Sequence, residues 1–372
     1  MKSQFLIIIV IALFNISCKS NSSSQKNKVN VIHLEETEKV LSMSEDFSEL
    51  QYIIFKFNDK DIPIGEIIDI KDIDNEIILK QRLSTKIIFQ RFSNSGIFLN
   101  NIGEYGRGAN EIFNPRDIII YNHDFAVWDN NGIHLISKSG KYIDHPFNVL
   151  LSGKRFFYSA NKFFFLHELT SPGFLTTYSN RGKLEKIYMP NNFDVPSLDN
   201  PGIFKLGIDN FHIFSPIVDT IYSYHQEKLS SIYIINGGSN KTFGEVLLET
   251  KNMNPLEQLK AINKIHPVTI ISYLENMDYI FVAYRVKDKL YNLIIKKENW
   301  ETKYFTTYKN DIDGGLWGTP LLLTNDNVLY IPLNPYEILN HTPDDKYKVE
   351  FEEFKKQFQL YDNPILMLCK LK

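Results

Sequence analysis

Asn94-Ser95-Gly96-Ile97-Phe98-Leu99 is answered further along the chain by Lys138-Ser139-Gly140-Lys141-Tyr142-Ile143 and by Asn180-Arg181-Gly182-Lys183-Leu184. A weaker copy follows as His225-Gln226-Glu227-Lys228-Leu229. Polar residues and, in the first three, a glycine precede apolar positions, the pattern of a tight hairpin between two strands. The copies lie about 40 to 45 residues apart, the length of one four-stranded propeller blade. Each is read as the hairpin between the third and fourth strands of a blade. The strands that should precede the hairpins recur as well, at 87–92 (IIFQRF), 132–136 (GIHLI), 175–178 (LTTY) and 220–224 (TIYSY).

Outward from these hairpins the chain keeps a strand-forming character. It has 27 Phe and 20 Tyr in 372 residues, alongside abundant Ile, and such aromatic and β-branched residues favour strands. Short apolar runs at 76–79 (EIIL), 86–89 (KIIF), 117–120 (DIII) and 163–166 (FFFL) have strand length. The period predicts an all-β fold, a six-bladed β-propeller of four-stranded antiparallel blades with short helical insertions. The blades are expected near 64–103, 117–146, 155–189, 203–235, 267–306 and 319–371. Helices are expected at 256–265 and at 342–361, the second carrying Phe351, Phe354 and Phe358 on one face. The segment 50–58 (LQYIIFKFN) is left over and is expected to pair with the last blade, closing the ring so that no sheet edge stays free.

The N-terminus reads differently. Lys2 precedes an apolar run at 5–14 (FLIIIVIALF), the length of a signal-peptide core and well short of the roughly 20 residues that span a bilayer. Asn15-Ile16-Ser17-Cys18 then resembles a bacterial lipobox, with Asn15 where the usual pattern has Leu. The expected organisation is a signal peptide over 1–17, a tether over 18–45 lipidated at Cys18, and a propeller over 46–372. Residues 19–28 are polar, as a flexible tether requires. Cys369, the only other cysteine, has no partner within the mature chain, so the fold does not depend on disulfides. A net charge of −3 lacks the basic bias of a nucleic-acid binder.

Residues 96–118 (GIFLNNIGEYGRGANEIFNPRDI) carry a resemblance. They are similar to the hallmark of the six-bladed β-propeller lipoproteins of Bacteroidota, a phrase that related NHL-like repeats share. Gly103, Gly106, Gly108, Glu111, Pro115 and Asp117 match it, while Ala109-Asn110 stands where the family often has Pro-Gly. Asp219-Thr220-Ile221-Tyr222 and the ending 363–372 (NPILMLCKLK) resemble the same family. The resemblance implies a propeller held in the cell envelope, with the outer membrane as the expected location. It implies little about activity.

No catalytic motif stands out. The loop 103–108 is glycine-rich, but a strand follows it rather than the helix that a phosphate-binding loop opens. It is read as an inter-blade turn in which Glu111 pairs with Arg116. No G-x-S-x-G is present, the histidines are scattered, and neither metal nor cofactor is expected. Trp128 is expected to pack between sheets and Cys369 to be a buried small apolar side chain. Two side chains on Gly-rich loops suit recognition: Arg107, which could clasp a carboxylate, and Trp317, which could cover a sugar or peptide face. The expected function is a ligand- or partner-binding module, for a glycan, peptide or protein, held to the membrane by its lipid. The rival reading is a metal-assisted propeller hydrolase or lactonase, which would need several carboxylates and amides converging in the central channel.

Overall fold

A computed structural model of the chain describes residues 29–57, 63–148, 153–167, 174–188, 202–207, 210–215, 218–360 and 362–372. Six antiparallel sheets follow one another as blades, their strands ordered from the axis outward. Blade 1 comprises Glu66–Ile73, Glu76–Leu83, Lys86–Ser93 and Phe98–Asn101; blade 2 comprises Asp117–Tyr121, Asp124–Trp128, Ile133–Ile136 and Tyr142–Phe147. Blade 3 comprises Gly153–Ser159, Lys162–His167, Leu175–Ser179 and Leu184–Tyr188; blade 4 comprises Gly202–Lys205, Asn210–Ser215, Val218–His225 and Lys228–Asn236. Blade 5 comprises Thr269–Glu275, Tyr279–Val286, Lys289–Lys296 and Glu301–Phe305. Blade 6 takes Leu322–Leu323, Val328–Leu333 and Ile365–Leu371 from the C-terminal part and Phe47–Ile53 from the N-terminal part.

The repeated hairpin has a local cause. Gly96, Gly140 and Gly182 have φ of 83°, 84° and 76°, a left-handed conformation that glycine adopts without strain. A Cβ on Gly140 would also lie 2.3 Å from the Asn101 carbonyl oxygen of the previous blade. Three residues before each glycine stands a serine whose hydroxyl accepts from the backbone beyond the turn: Ser93 from Ile97 N (3.1 Å), Ser137 from Lys141 N (3.0 Å) and Ser179 from Lys183 N (3.2 Å). The fourth copy is weaker because blade 4 turns differently. Gln226 and Glu227 make a two-residue turn with φ of 47° and 60°, and neither glycine nor serine is required.

Ring closure follows the expected principle with a shifted segment. Phe47–Ile53 pairs antiparallel with Ile365–Leu371, from Phe47↔Leu371 to Ile53↔Leu366. The strand starts earlier than 50 because Phe47 is buried in the core between blades 5 and 6, against Tyr308. Residues ahead of 46 also join the sheets. Asn30–His33 adds a fifth, parallel strand to the outer edge of blade 4, and Val40–Ser42 pairs in parallel with Thr307–Lys309. Between them the backbone crosses blade 5, where the Tyr284 hydroxyl donates to Glu35 O (2.6 Å) and Thr306 N donates to Lys39 O (2.8 Å).

Two insertions sit on connections at one end of the ring. Helices Phe243–Thr250 and Pro255–Ile265 lie between blades 4 and 5; the first was not anticipated. Within blade 6, the expected helix over 342–361 is resolved into a 3-10 turn, Asp345–Tyr347, and a helix, Lys348–Lys355. Residues 341–344 belong to neither element. Phe351 and Phe358 are buried as the spacing predicts, and Phe354 packs partly buried against Tyr52. Trp128 is fully buried against Phe156 and Phe165, and Cys369 is fully buried in the last strand.

Candidate functional site: the axial cavity

The first strand of every blade borders the axis, and all six contribute to one cavity of about 620 Å³. Apolar walls come from Ile70, Ile119, Ile203 and Leu321–Leu323, with the rings of Phe157 and Phe204 between them. Phe157 is held in place by stacking on Phe164, 4.4 Å between centroids, and by Phe211 at 4.3 Å.

Charged side chains from three blades meet in this cavity. Arg155 of blade 3 donates to Asp69 of blade 1 and lies 3.5 Å from Asp117 of blade 2. Lys71 of blade 1 pairs with Asp117 at 2.6 Å and donates to Ile118 O at 2.7 Å. The other Asp117 oxygen accepts from Phe156 N at 3.0 Å, so one carboxylate ties three blades together. Burial alone would raise the Asp69 carboxyl, but Arg155, with Lys71 and Lys80 behind it, holds it below the usual carboxylate range. Lys80 approaches from the second strand of blade 1 and donates to Arg116 O at 2.5 Å. Burial and the adjacent Arg155 push its ammonium down to about 8.

One side of the cavity is bordered by turns between first and second strands, carrying Asp72, Asp74, Asn75, Thr324, Asn325 and Asp326. Asp74 pairs with Lys138 at 2.8 Å. Asp72 accepts from the Tyr330 hydroxyl at 3.1 Å, and burial together with Asp326 raises its carboxyl. On the wall from blade 5, the buried Glu275 carboxylate meets His212 Nδ1 at 2.7 Å, Lys297 Nζ at 2.9 Å and the Tyr273 hydroxyl at 2.9 Å. Among the described residues no three His, Cys, Asp or Glu side chains are grouped so as to hold a metal ion. Asp69 and Asp117 do converge in the channel, but in ion pairs with Arg155 and Lys71.

Arg107 and Trp317 lie elsewhere. Both stand on connections from the outer strand of one blade to the inner strand of the next, so chain direction puts them at the same end of the ring, opposite the turns at the cavity mouth. Arg107 is exposed, its guanidinium 4.8 Å from the centre of the Phe113 ring. Trp317 is partly buried, packed against Tyr308 (4.7 Å) and Phe47 (5.8 Å), so its ring is engaged by the core. Neither lines the axial cavity. The pairing expected of Glu111 and Arg116 gives way to other partners. Glu111 accepts from Gly108 N at 2.7 Å, in space that a Cβ on Gly106 would fill, and Arg116 donates to Asn130 (2.9 Å) and to Gly153 O (3.0 Å). Cys18 lies outside the described residues.

Of the cavity residues, only Asp117 carried a signal in the sequence, as a position of the quoted 96–118 phrase. Asp69, Lys71 and Arg155 are single polar residues in separate strands, joined only by the closed ring.

The family described as Domain of unknown function (DUF4934) matches over residues 26–370. The chain belongs to this family. Among solved structures, this member of the DUF4934 family is similar to a Bacteroides fragilis protein described as exported, at 17% identity and a TM-score of 0.76, covering 92% of this chain and 100% of that one. That likeness supports the DUF4934 fold alone. A Bacteroides thetaiotaomicron protein of unknown function (8% identity, TM-score 0.45, 87% and 76% covered) is more distant, as is a Staphylococcus aureus virginiamycin B lyase (13%, 0.41, 76% and 81%). No curated protein matches the sequence.

Proposed function

We propose that the chain is an exported binding module of the bacterial cell envelope, lipid-anchored at Cys18 in the outer membrane, whose ligand seats in the axial cavity. One observation carries the reading: six blades converge on a single concave space of about 620 Å³, within the range of small-ligand pockets. Its ion pairs are already satisfied by protein, which suits a preorganised binding surface better than a reacting centre. The carboxylates and amides at the mouth favour a ligand rich in hydroxyl or amine groups, such as the end of a glycan or a peptide. The apolar walls and Phe157 would cover its carbon skeleton.

The test is a screen of glycan and peptide libraries against the wild type, Asn325→Trp, which narrows the mouth, and Arg107→Ala. Hits lost in Asn325→Trp and kept in Arg107→Ala are the expected result. The reverse pattern would move the site to the inter-blade loops, and turnover abolished by EDTA would replace the binder with a metal-assisted hydrolase.

A further inference from the structure

We propose that the helical hairpin between blades 4 and 5 is a lipid-contact surface that lays this end of the propeller on a bilayer. Helix Pro255–Ile265 is held to its neighbour Phe243–Thr250 by the buried Gln258, which donates to Thr250 O at 2.9 Å. On the opposite stripe, Leu256 is 62% exposed and Leu259 54%. Leu248 at 55% and Met253 at 45% add to this apolar edge from the first helix and the connection. Lys260 and Lys264 lie exposed beside the leucines. The acids are engaged elsewhere: Glu245 and Glu257 close capping boxes at the two helix starts, and Glu249 pairs with Lys241. Leucines flanked by lysines, with the nearby acids held by other groups, fit the boundary between anionic headgroups and acyl chains.

The exposed lysines beside the leucines favour an anionic bilayer over another occupant, and chain geometry permits it. The described chain begins at Val29, eleven residues after Cys18, so a lipid on that cysteine is at most about 38 Å away. From there Asn30–His33 runs parallel to Lys228–Asn236, the strand that leads into the hairpin. Leu34 N donates to Asn236 O at 2.9 Å, and Asn240 Nδ2 donates to Glu36 at 2.7 Å. Because Asn30–His33 runs towards the hairpin, the chain before Val29 leaves the same blade towards its other end, and the eleven-residue leash is long enough to double back to the side of the leucines. Bound this way, the protein keeps the turns bordering the axial cavity on the side away from the lipid. The orientation of an anchored molecule rests on the lipidation proposed above; the lipid contact itself does not.

The experiment therefore uses the mature chain, residues 18–372, with Cys18→Ser, so that no acyl chain contributes. Co-flotation with vesicles of phosphatidylethanolamine and phosphatidylglycerol is measured for this protein and for the same chain with Leu256→Asp and Leu259→Asp. The parent is expected to float, and the double variant to lose at least about tenfold in vesicle affinity with an unchanged melting temperature, both side chains being exposed. A Leu259→Trp variant should show blue-shifted fluorescence that brominated lipid quenches. A parent that does not float, a double variant that floats equally, or an unquenched tryptophan overturns the proposal. Leucine-dependent self-association without flotation also overturns it and assigns the stripe to a second copy of the chain. Lipidation is read separately, by acyl labelling of the wild type, and its absence would leave the vesicle result standing.

Discussion

Asp219, on the third strand of blade 4, is half-buried beside the first turn of the Phe243–Thr250 helix, where the Thr242 hydroxyl donates to it at 2.5 Å. Burial, with Glu245 nearby, raises its carboxyl to about 6. A carboxyl raised above its unfolded value favours the folded state when protonated. That contribution is complete below about pH 4 and is lost as the pH climbs through about 6. Asp219→Asn should therefore melt higher than wild type at pH 7.5, by a ceiling of about 3 kcal/mol, with the gap narrowing towards pH 4. Thermal melts across that range check it; a gap independent of pH would sink the assignment. The hairpin glycines allow a second comparison. Gly140→Ala meets both a left-handed φ and the Asn101 carbonyl, and should cost about 1–3 kcal/mol. Gly207→Ala, with its nearest neighbour among the described residues at 3.7 Å and no such φ, should be near neutral in the same denaturant titration. At this scale the glycines were legible because their conformational need shows as a repeated letter. Their serine partners at 93, 137 and 179 were not, because a hydroxyl that closes a turn looks like any polar loop residue. Trp317 misleads for a related reason: a glycine-rich neighbourhood suggests an open loop, whereas the ring fills space between Phe47 and Tyr308.

Among the elements, blade limits were legible to within a few residues, since each hairpin fixes the strands on either side of it. The N-terminal segment was not. Asn30–His33 has four residues, pairs in parallel, and has its partner about 200 residues away in sequence, so no turn announces it. It adds to the outer edge of a blade that already has four antiparallel strands, whereas Phe47–Ile53 supplies the fourth strand of blade 6. Removing residues 29–34 should leave a monomer with a modestly lower melting temperature. Removing 29–53 should expose the edge of Ile365–Leu371 and produce aggregates on size-exclusion chromatography. Equal behaviour of the two truncations would show that the closing strand has no special part in the ring.

For the whole molecule, the charged cluster on the axis could not be read in advance, because Asp69, Asp117 and Arg155 become neighbours only once three blades stand side by side. The proposed anchor is checked by fractionation. Cys18→Ala should release the protein from membranes by more than about tenfold, or to the residual level that the helical hairpin supports, while the domain stays folded. Retention equal to wild type would remove the lipid from the account. The closure of blade 6 also bears on time. Ser48 and Lys370, joined by a hydrogen bond, are 322 residues apart in the chain. The outer strand of blade 6 is thus synthesised more than 300 residues before the strand it pairs with. During synthesis the early strand must wait unpaired, and contacts so distant in sequence form slowly. Sealing the ring therefore cannot precede the synthesis of Ile365–Leu371, however early the other blades form.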